Sequence, residues 1–194
     1  MRRLLAEDGD RFRAWAVDEE LRRCYLGAQL ARISADVTEW IPTAFGAREP
    51  HPRRPAARCG HLVRVIETMG GQTLGWIELR DTNWRRRNGE MRICLGDRQT
   101  WGRGYGSEAI RLFLSLAFDH WRLDSIHLRV ATWNTRAIRA YERCGFRREA
   151  RLRAGRYARD GVEDLWLMRA DRPAGCGSSA EVPGRPVEPL AAGS

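Results

Sequence analysis

The chain has 194 residues, of which 43% are hydrophobic and 30% are charged, a balance typical of a globular domain large enough to bury a core. No run approaches the roughly 18 apolar residues that a membrane-spanning helix needs, and residues 1–8 lack the apolar stretch of a secretory signal peptide, so we expect a cytoplasmic protein with no membrane partner. All 34 basic residues are arginine and the net charge is +9, but they are interleaved with acids in an Ala- and Gly-rich sequence, which favours a GC-biased genome over a nucleic-acid surface.

The N-terminal third predicts two helices followed by a loop. An apolar pattern at helical spacing follows Asp8 and Asp10, either of which can cap the first helix. A second helix is predicted over 18–26, and three closely spaced prolines predict a loop over 46–58.

The next segment predicts a meander of strands. Residues 61–67 and 73–79 alternate in the manner of strands, and the Met-Gly-Gly-Gln sequence at 69–72 predicts the turn between them. Residues 81–89 are polar and predict a loop, after which 90–96 predicts a further strand.

The second half of the chain alternates helices with strands. We predict a helix over 104–120, a strand over 125–130, a helix from Asn134 to about Cys144, and strands near 146–153 and 163–169. Residues 171–194 are rich in Pro, Gly, Ser and Ala and predict a disordered tail. The order of elements predicts one mixed α/β domain over residues 1–170, with its parallel part near the middle.

Cysteine and histidine give no sign of a metal site. The five cysteines form no C-x-x-C pair and the four histidines form no H-x-x-x-H pair, so we expect neither a disulfide framework nor a metal. The apolar surroundings of Cys94 and Cys144 favour buried thiols.

Three alternating glycines, Gly102, Gly104 and Gly106, lie in the loop before the helix predicted at 104–120. A backbone without Cβ atoms can approach a ligand closely, and the N-terminus of the following helix directs N–H groups at the loop. These features predict an anion site suited to a pyrophosphate. The absence of Gly-Lys-Ser/Thr argues against a P-loop, and the spacing is not that of a dinucleotide fold. The alternative interpretation, that the glycines only form a tight turn between the strand and the helix, is left open.

Two motifs in this half of the chain resemble one known family. Gln99-x-x-Gly102-x-Gly104 matches the Q/R-x-x-G-x-G/A signature of the GNAT acetyltransferases, and residues 134–146 match its N-x-x-A-x-x-x-Y-x-x-x-G-F element. Residues 95–109 look like the bacterial branch that includes ribosomal-protein-alanine and spermidine acetyltransferases. The resemblance covers about 60–170 and implies a single GNAT-like domain, with a central twisted mixed sheet flanked by helices.

The resemblance also implies acetyl-CoA as co-substrate, with no metal. The residues that it places at the cofactor are Ile93, Cys94, Leu95, Gln99, Thr100, Trp101, Gly102, Arg103, Gly104, Tyr105, Gly106, Ser107, Asn134, Ala137 and Tyr141.

The chemistry implied is direct attack of a primary amine on the thioester. The amine must first lose a proton, since an ammonium has a pKa near 10. By resemblance, a backbone N–H near Ile93–Leu95 stabilises the oxyanion, Tyr141 serves the leaving thiolate and Glu90 is the base. The other candidate bases are Glu78, Glu67, Asp97 and water.

The acceptor is not defined by the sequence. A protein N-terminus, a small-molecule amine and an antibiotic amine stay open, and the basic composition argues against a polycation such as spermidine. Residues 84–87, Trp-Arg-Arg-Arg, favour a solvated hairpin over an acidic-partner site. A CoA-binding relative without turnover and a basic nucleic-acid-binding protein are the alternative functions, and a homodimer is left open.

Overall fold

The computed structural model describes residues 1–26, 62–153 and 164–174. The loop predicted at 46–58, and the tail from residue 175 onward, lie outside these ranges. The elements in the described ranges are β1 (Arg2–Arg3), α1 (Asp8–Val17), α2 (Glu19–Leu26), β2 (Leu62–Glu67), β3 (Thr73–Asn83), β4 (Asn88–Leu95), α3 (Tyr105–Ser115), β5 (Ser125–Ala131), α4 (Thr135–Arg143), β6 (Arg147–Leu152) and β7 (Leu165–Asp171).

The strands form one mixed sheet in the order β1-β2-β3-β4-β5-β7-β6. All neighbouring strands are antiparallel except β4 and β5, which run parallel and pair only over 88–90 and 125–127. Beyond that point β4 stays paired with β3, and β5 stays paired with β7. The two central strands therefore diverge, and a cleft opens between them.

Helices cover both faces of the sheet. On one face, Phe113 of α3 is buried in the same apolar cluster as Met91 and Ile126. On the other face, Phe12 of α1 lies with its ring centroid 4.8 Å from that of Trp76 on β3. These contacts fix α1 and α3 to the sheet beside the cleft.

Two predicted boundaries change. The loop predicted over 81–89 is shorter than expected, because β3 continues to Asn83 and β4 begins at Asn88, which leaves residues 84–87 as the turn. The pairing of β3 with β4 shifts register between Arg80 and Asn83. The residues that extend the two strands at this exposed hairpin end are polar, so they lack the alternating apolar pattern that predicts a strand. The helix predicted over 104–120 ends its α-helical part at Ser115 and finishes in a π turn, Leu116–His120.

The predicted cap of α1 is also wrong. Glu7 is the N-cap and makes no side-chain cap hydrogen bond, whereas Asp8 lies in the first turn. The Asp8 carboxylate instead accepts from the Leu5 amide at 2.8 Å and from both terminal nitrogens of Arg2. Arg2 also donates to Glu67 on the neighbouring strand. The buried carboxylate thereby ties the edge strand β1 to α1.

Asp8→Asn is expected to lower the free energy of unfolding at pH 7 by about 1–3 kcal/mol, because it leaves Arg2 with a weaker partner. Burial raises the pKa of Asp8, but hydrogen bonds from Arg2 and the Leu5 amide outweigh it and hold the pKa below its usual value. The contribution is therefore present above the unfolded-state pKa of about 3.9 and is lost as pH falls through the lower folded-state pKa. Urea melts of both proteins at pH 7 and pH 3 test this; equal stabilities at pH 7 would contradict it.

Candidate active site

A pocket of about 200 Å³ lies where β4 and β5 diverge. Helix α2, the end of β4, the glycine-rich loop, the first turns of α3 and one face of α4 surround it. Its lining residues are Leu21, Cys24, Ile93, Cys94, Leu95, Thr100, Trp101, Gly102, Gly104, Gly106, Ser107, Ile110, Asn134, Arg136, Ala137, Ala140, Tyr141 and Arg143.

The glycine-rich loop is held to the end of β4 by side-chain hydrogen bonds. Asp97 caps a short 3-10 turn, its Oδ1 accepting from the Gln99 amide at 2.9 Å. The Trp101 Nε1–H donates to the backbone carbonyl of Leu95 at 2.9 Å. These bonds fix the start of the loop against the strand, so the backbone of the loop is positioned before any ligand arrives.

Two glycines turn this backbone toward the pocket. Gly102 has φ 77° and Gly104 has φ 90°, conformations that other residues rarely adopt. A Cβ at either position would meet no atom within 4 Å, so both face open space. Gly104 is the N-cap of α3, whose first-turn amides have no intrahelical acceptor. Loop and helix end together form a cradle for an anion.

The edge of β4 supplies backbone donors to the same volume. The Gly96 amide bonds to Leu74 on β3, whereas the Leu95 carbonyl bonds to the Trp101 indole on the opposite side. Because peptide groups alternate along an antiparallel strand, the N–H groups of Ile93 and Leu95 point away from β3. They point into the cleft that the missing β4–β5 pairing opens.

Helix α4 forms the wall opposite β4. Asn134 is its N-cap, and its Oδ1 accepts from the Ala137 amide at 3.2 Å. The helix ends in the predicted Schellman motif: Phe146 N bonds to Tyr141 O and Gly145 N bonds to Glu142 O. The predicted cap and stop are both confirmed.

Tyr141 lies on the pocket-facing side of α4. Its ring packs edge-on against Phe146, with centroids 5.8 Å apart. Burial raises the pKa of Tyr141 well above its usual value, and nearby cysteine thiols raise it further. The side chain is therefore a neutral phenol, able to donate a hydrogen bond, across the physiological pH range.

Glu90 lies at the apex of the cleft rather than on the pocket wall. It is the last residue of β4 that pairs with β5, roughly 10 Å along the strand from Ile93. The carboxylate is buried; its Oε2 accepts from Arg129 at 2.7 Å and its Oε1 from Arg92 at 3.1 Å. Burial raises the pKa of Glu90, but the two guanidinium groups outweigh it and the pKa is lowered.

The other candidate bases are also engaged. Glu78 is buried and lies 3.8 Å from Arg80, Glu67 is paired with Arg2, and Asp97 caps the 3-10 turn. Cys94 is buried, and burial is the largest of the effects that raise the pKa of its thiol. A neutral thiol is a poor nucleophile.

Most of the predicted cofactor residues line the pocket, but Gln99, Arg103 and Tyr105 do not. Gln99 contributes its amide to the turn, Arg103 is exposed and Tyr105 packs against the core.

Six lining residues were not predicted, one of which is the buried Ile110 of α3. Arg136, Ala140 and Arg143 follow at i, i+4 and i+7 on α4, so extending the face of Ala137 and Tyr141 along the helix would have found them. Leu21 and Cys24 come from α2, where no motif marks them. Arg136 and Arg143 make the helix side of the pocket basic.

Within residues 1–26, 62–153 and 164–174, no three His, Cys, Asp or Glu side chains are grouped as ligands for a metal ion. In the same ranges, no helix has the length and apolar character needed to cross a bilayer.

The comparisons with known proteins agree with this architecture. Residues 1–147 match the family model described as acetyltransferase (GNAT) domain, and the chain belongs to this family. Over 88 residues it is 32% identical to the spermidine N(1)-acetyltransferase of Vibrio cholerae serotype O1, a match that covers 45% of this chain and 50% of that protein. The chain thus spans about half the length of the curated relative that it matches.

Solved structures show the same fold. The spermidine N-acetyltransferase of Vibrio cholerae in complex with CoA and spermine has a TM-score of 0.66 at 20% identity, over 88% of this chain and 93% of that one. A chimera of the Vibrio cholerae enzyme and hSSAT has a TM-score of 0.67 at 22% identity, with the same coverage. The predicted family and the predicted mixed α/β fold are confirmed.

Proposed function

We propose that the protein is an acetyl-CoA-dependent N-acetyltransferase that acetylates a primary amine by direct attack. The observation that carries the proposal is one pocket faced by a glycine cradle, by the backbone donors of β4 and by the phenol of Tyr141. The similarity to a protein named spermidine N(1)-acetyltransferase supports the amine as acceptor class.

The residues present fit coenzyme A. The loop from Gly102 to Ser107 supplies amides for the pyrophosphate. The open space beside Gly102 and Gly104 leaves room for it. Ala137 and Ala140 have small side chains on the pocket side of α4, so a thin pantetheine arm can pass between this helix and β4.

The transfer step then uses groups on β4 and α4. The amine nitrogen attacks the thioester carbon, a C–N bond forms, and the oxyanion accepts a hydrogen bond from a β4 amide near Ile93 or Leu95. The C–S bond breaks, and the departing sulfur is stabilised by the Tyr141 hydroxyl. The proton lost by the amine goes to a base, for which we propose Glu90, reached through water.

Glu90→Gln is expected to lower kcat/KM by about 100-fold if Glu90 accepts this proton. Since its pKa lies below the usual value near 4.3, the wild-type carboxylate is ionised at every pH above about 5. The rise of kcat/KM between pH 6 and 9 is then set by the acceptor amine and is the same in both proteins. The measurement is the pH profile of thiol release, with Glu67→Gln as the control at a remote ion pair. Wild-type turnover in Glu90→Gln would leave water as the base.

The proposed function is tested by calorimetric titration with acetyl-CoA, followed by thiol release with a panel of amines. The panel should contain spermidine, a peptide with a free N-terminus and an aminoglycoside. Micromolar-range binding with acceptor-dependent thiol release supports the proposal. Binding without turnover on any amine favours a CoA-binding protein, and no binding to folded protein at millimolar ligand rejects the proposal.

A further inference from the structure

We propose that Arg136 is a ligand for the pyrophosphate of coenzyme A, held in place by stacking on Trp101. This inference rests on the proposed function. It adds a residue that neither signature specifies, since Arg136 occupies an unspecified position of the N-x-x-A element. Arg136 is the second residue of α4 and lines the pocket beside the glycine loop. Its guanidinium carbon lies 3.8 Å from the centroid of the Trp101 ring, well inside the range of a cation–π contact.

The platform under the guanidinium is itself fixed. The Trp101 indole N–H donates to the Leu95 carbonyl at 2.9 Å, so the ring plane is tied to the end of β4. A stacked guanidinium keeps its N–H donors in its own plane, where they are available at the ring edge. The side chain of Arg136 is therefore ordered by an aromatic face, which leaves its hydrogen-bonding capacity for another group.

The surrounding charges point to an anion as that group. No carboxylate in the described ranges forms an ion pair with Arg136, whereas Arg98, nearby in sequence to the loop, is held by Asp18 and Glu20. Trp101 belongs to the glycine loop, so the stacked guanidinium and the loop amides serve the same end of the pocket. A planar fork beside backbone donors is suited to two adjacent phosphates.

The position of Arg136 on α4 predicts an effect on cofactor binding rather than on the transfer step. Arg136 precedes Tyr141 by more than one helical turn and stacks on the loop rather than on β4. Its contact is to the nucleotide end of the cofactor, away from the acetyl group. The loss on substitution should therefore appear in KM for acetyl-CoA rather than in kcat.

The experiment compares Arg136→Gln with Arg139→Gln, which removes the same charge from an exposed position of the same helix outside the pocket. Calorimetry with CoA, 3′-dephospho-CoA and pantetheine separates the parts of the ligand. Loss of a charge-assisted contact should weaken CoA and 3′-dephospho-CoA by the same factor, about 10-fold or more, with pantetheine unchanged. Trp101→Leu should weaken both nucleotides, and Arg136→Gln should cost less affinity in that background than in the wild type, because the guanidinium no longer has its aromatic face.

Three results would overturn the assignment. The first is an equal affinity for CoA in Arg136→Gln and Arg139→Gln. The second is a loss of affinity confined to CoA, which would place the contact at the 3′-phosphate. The third is additive losses of affinity from Arg136→Gln and Trp101→Leu. Failure of the wild-type protein to bind acetyl-CoA would instead reject the proposed function, so the two failures are distinguishable.

Discussion

Tyr141→Phe is expected to lower kcat by about 100-fold while the Kd for acetyl-CoA changes by less than about twofold. The substitution removes one oxygen from the wall of the pocket and keeps the ring that packs against Phe146. The lost group is the donor that we place at the departing sulfur, and this interaction forms only as the C–S bond breaks. Thiol-release assays at saturating acetyl-CoA and acceptor measure kcat, and calorimetry measures the Kd for acetyl-CoA.

The raised pKa of Tyr141 fixes the direction of the pH effect. A partly buried phenol with a raised pKa keeps its proton to a higher pH than a free one, so the wild-type rate should not fall through ionisation of Tyr141 below pH 10. The thiolate of a thiol with a pKa near 8.5 is a weaker base than the phenolate of Tyr141, so the hydroxyl keeps its proton and stabilises the departing thiolate by a hydrogen bond. An alkaline fall in kcat that disappears in Tyr141→Phe would contradict this role.

Phe146→Leu is the control for packing. It removes the edge-on ring contact and keeps the hydroxyl of Tyr141. We expect a loss of about 1 kcal/mol in unfolding free energy and a kcat within a few-fold of wild type. If Phe146→Leu slowed turnover as much as Tyr141→Phe, the position of the ring rather than its hydroxyl would explain both effects.

The sequence predicted the parts of the site that depend on local backbone rules. The glycine loop was predictable because Gly102 and Gly104 adopt positive φ, which few other residues tolerate. Helix α4 was predictable from an N-cap at Asn134 and a stop at Gly145, since both ends have strong residue preferences.

Contacts across the sheet were not predictable in the same way. The resemblance implied Glu90 as the base without indicating any partner, yet its carboxylate is paired with Arg129, a residue 39 positions later. That pairing follows from the parallel register of β4 and β5, which places Glu90 opposite His127. Strand register depends on the packing of both faces at once, so no local pattern in either segment specifies it.

Gly104→Val is expected to abolish measurable binding of acetyl-CoA, a loss of more than about 100-fold, because two or more charge-assisted hydrogen bonds to the pyrophosphate would be lost. The new side chain would project from the loop into the open space that the glycine faces. A branched residue at φ 90° also strains the loop, by about 1–3 kcal/mol. Calorimetry below the melting temperature measures the affinity.

Gly145→Val separates strain from blockage. Gly145 has φ 93°, and a Cβ there would also meet no atom within 4 Å, but it lies at the end of α4 outside the pocket lining. Both variants should therefore lose similar stability, while Gly145→Val keeps the wild-type affinity for acetyl-CoA. A wild-type affinity in Gly104→Val would move the pyrophosphate away from this loop. Equal loss of affinity in both variants would mean that backbone strain alone disables the protein, and that the cradle has no direct part in binding.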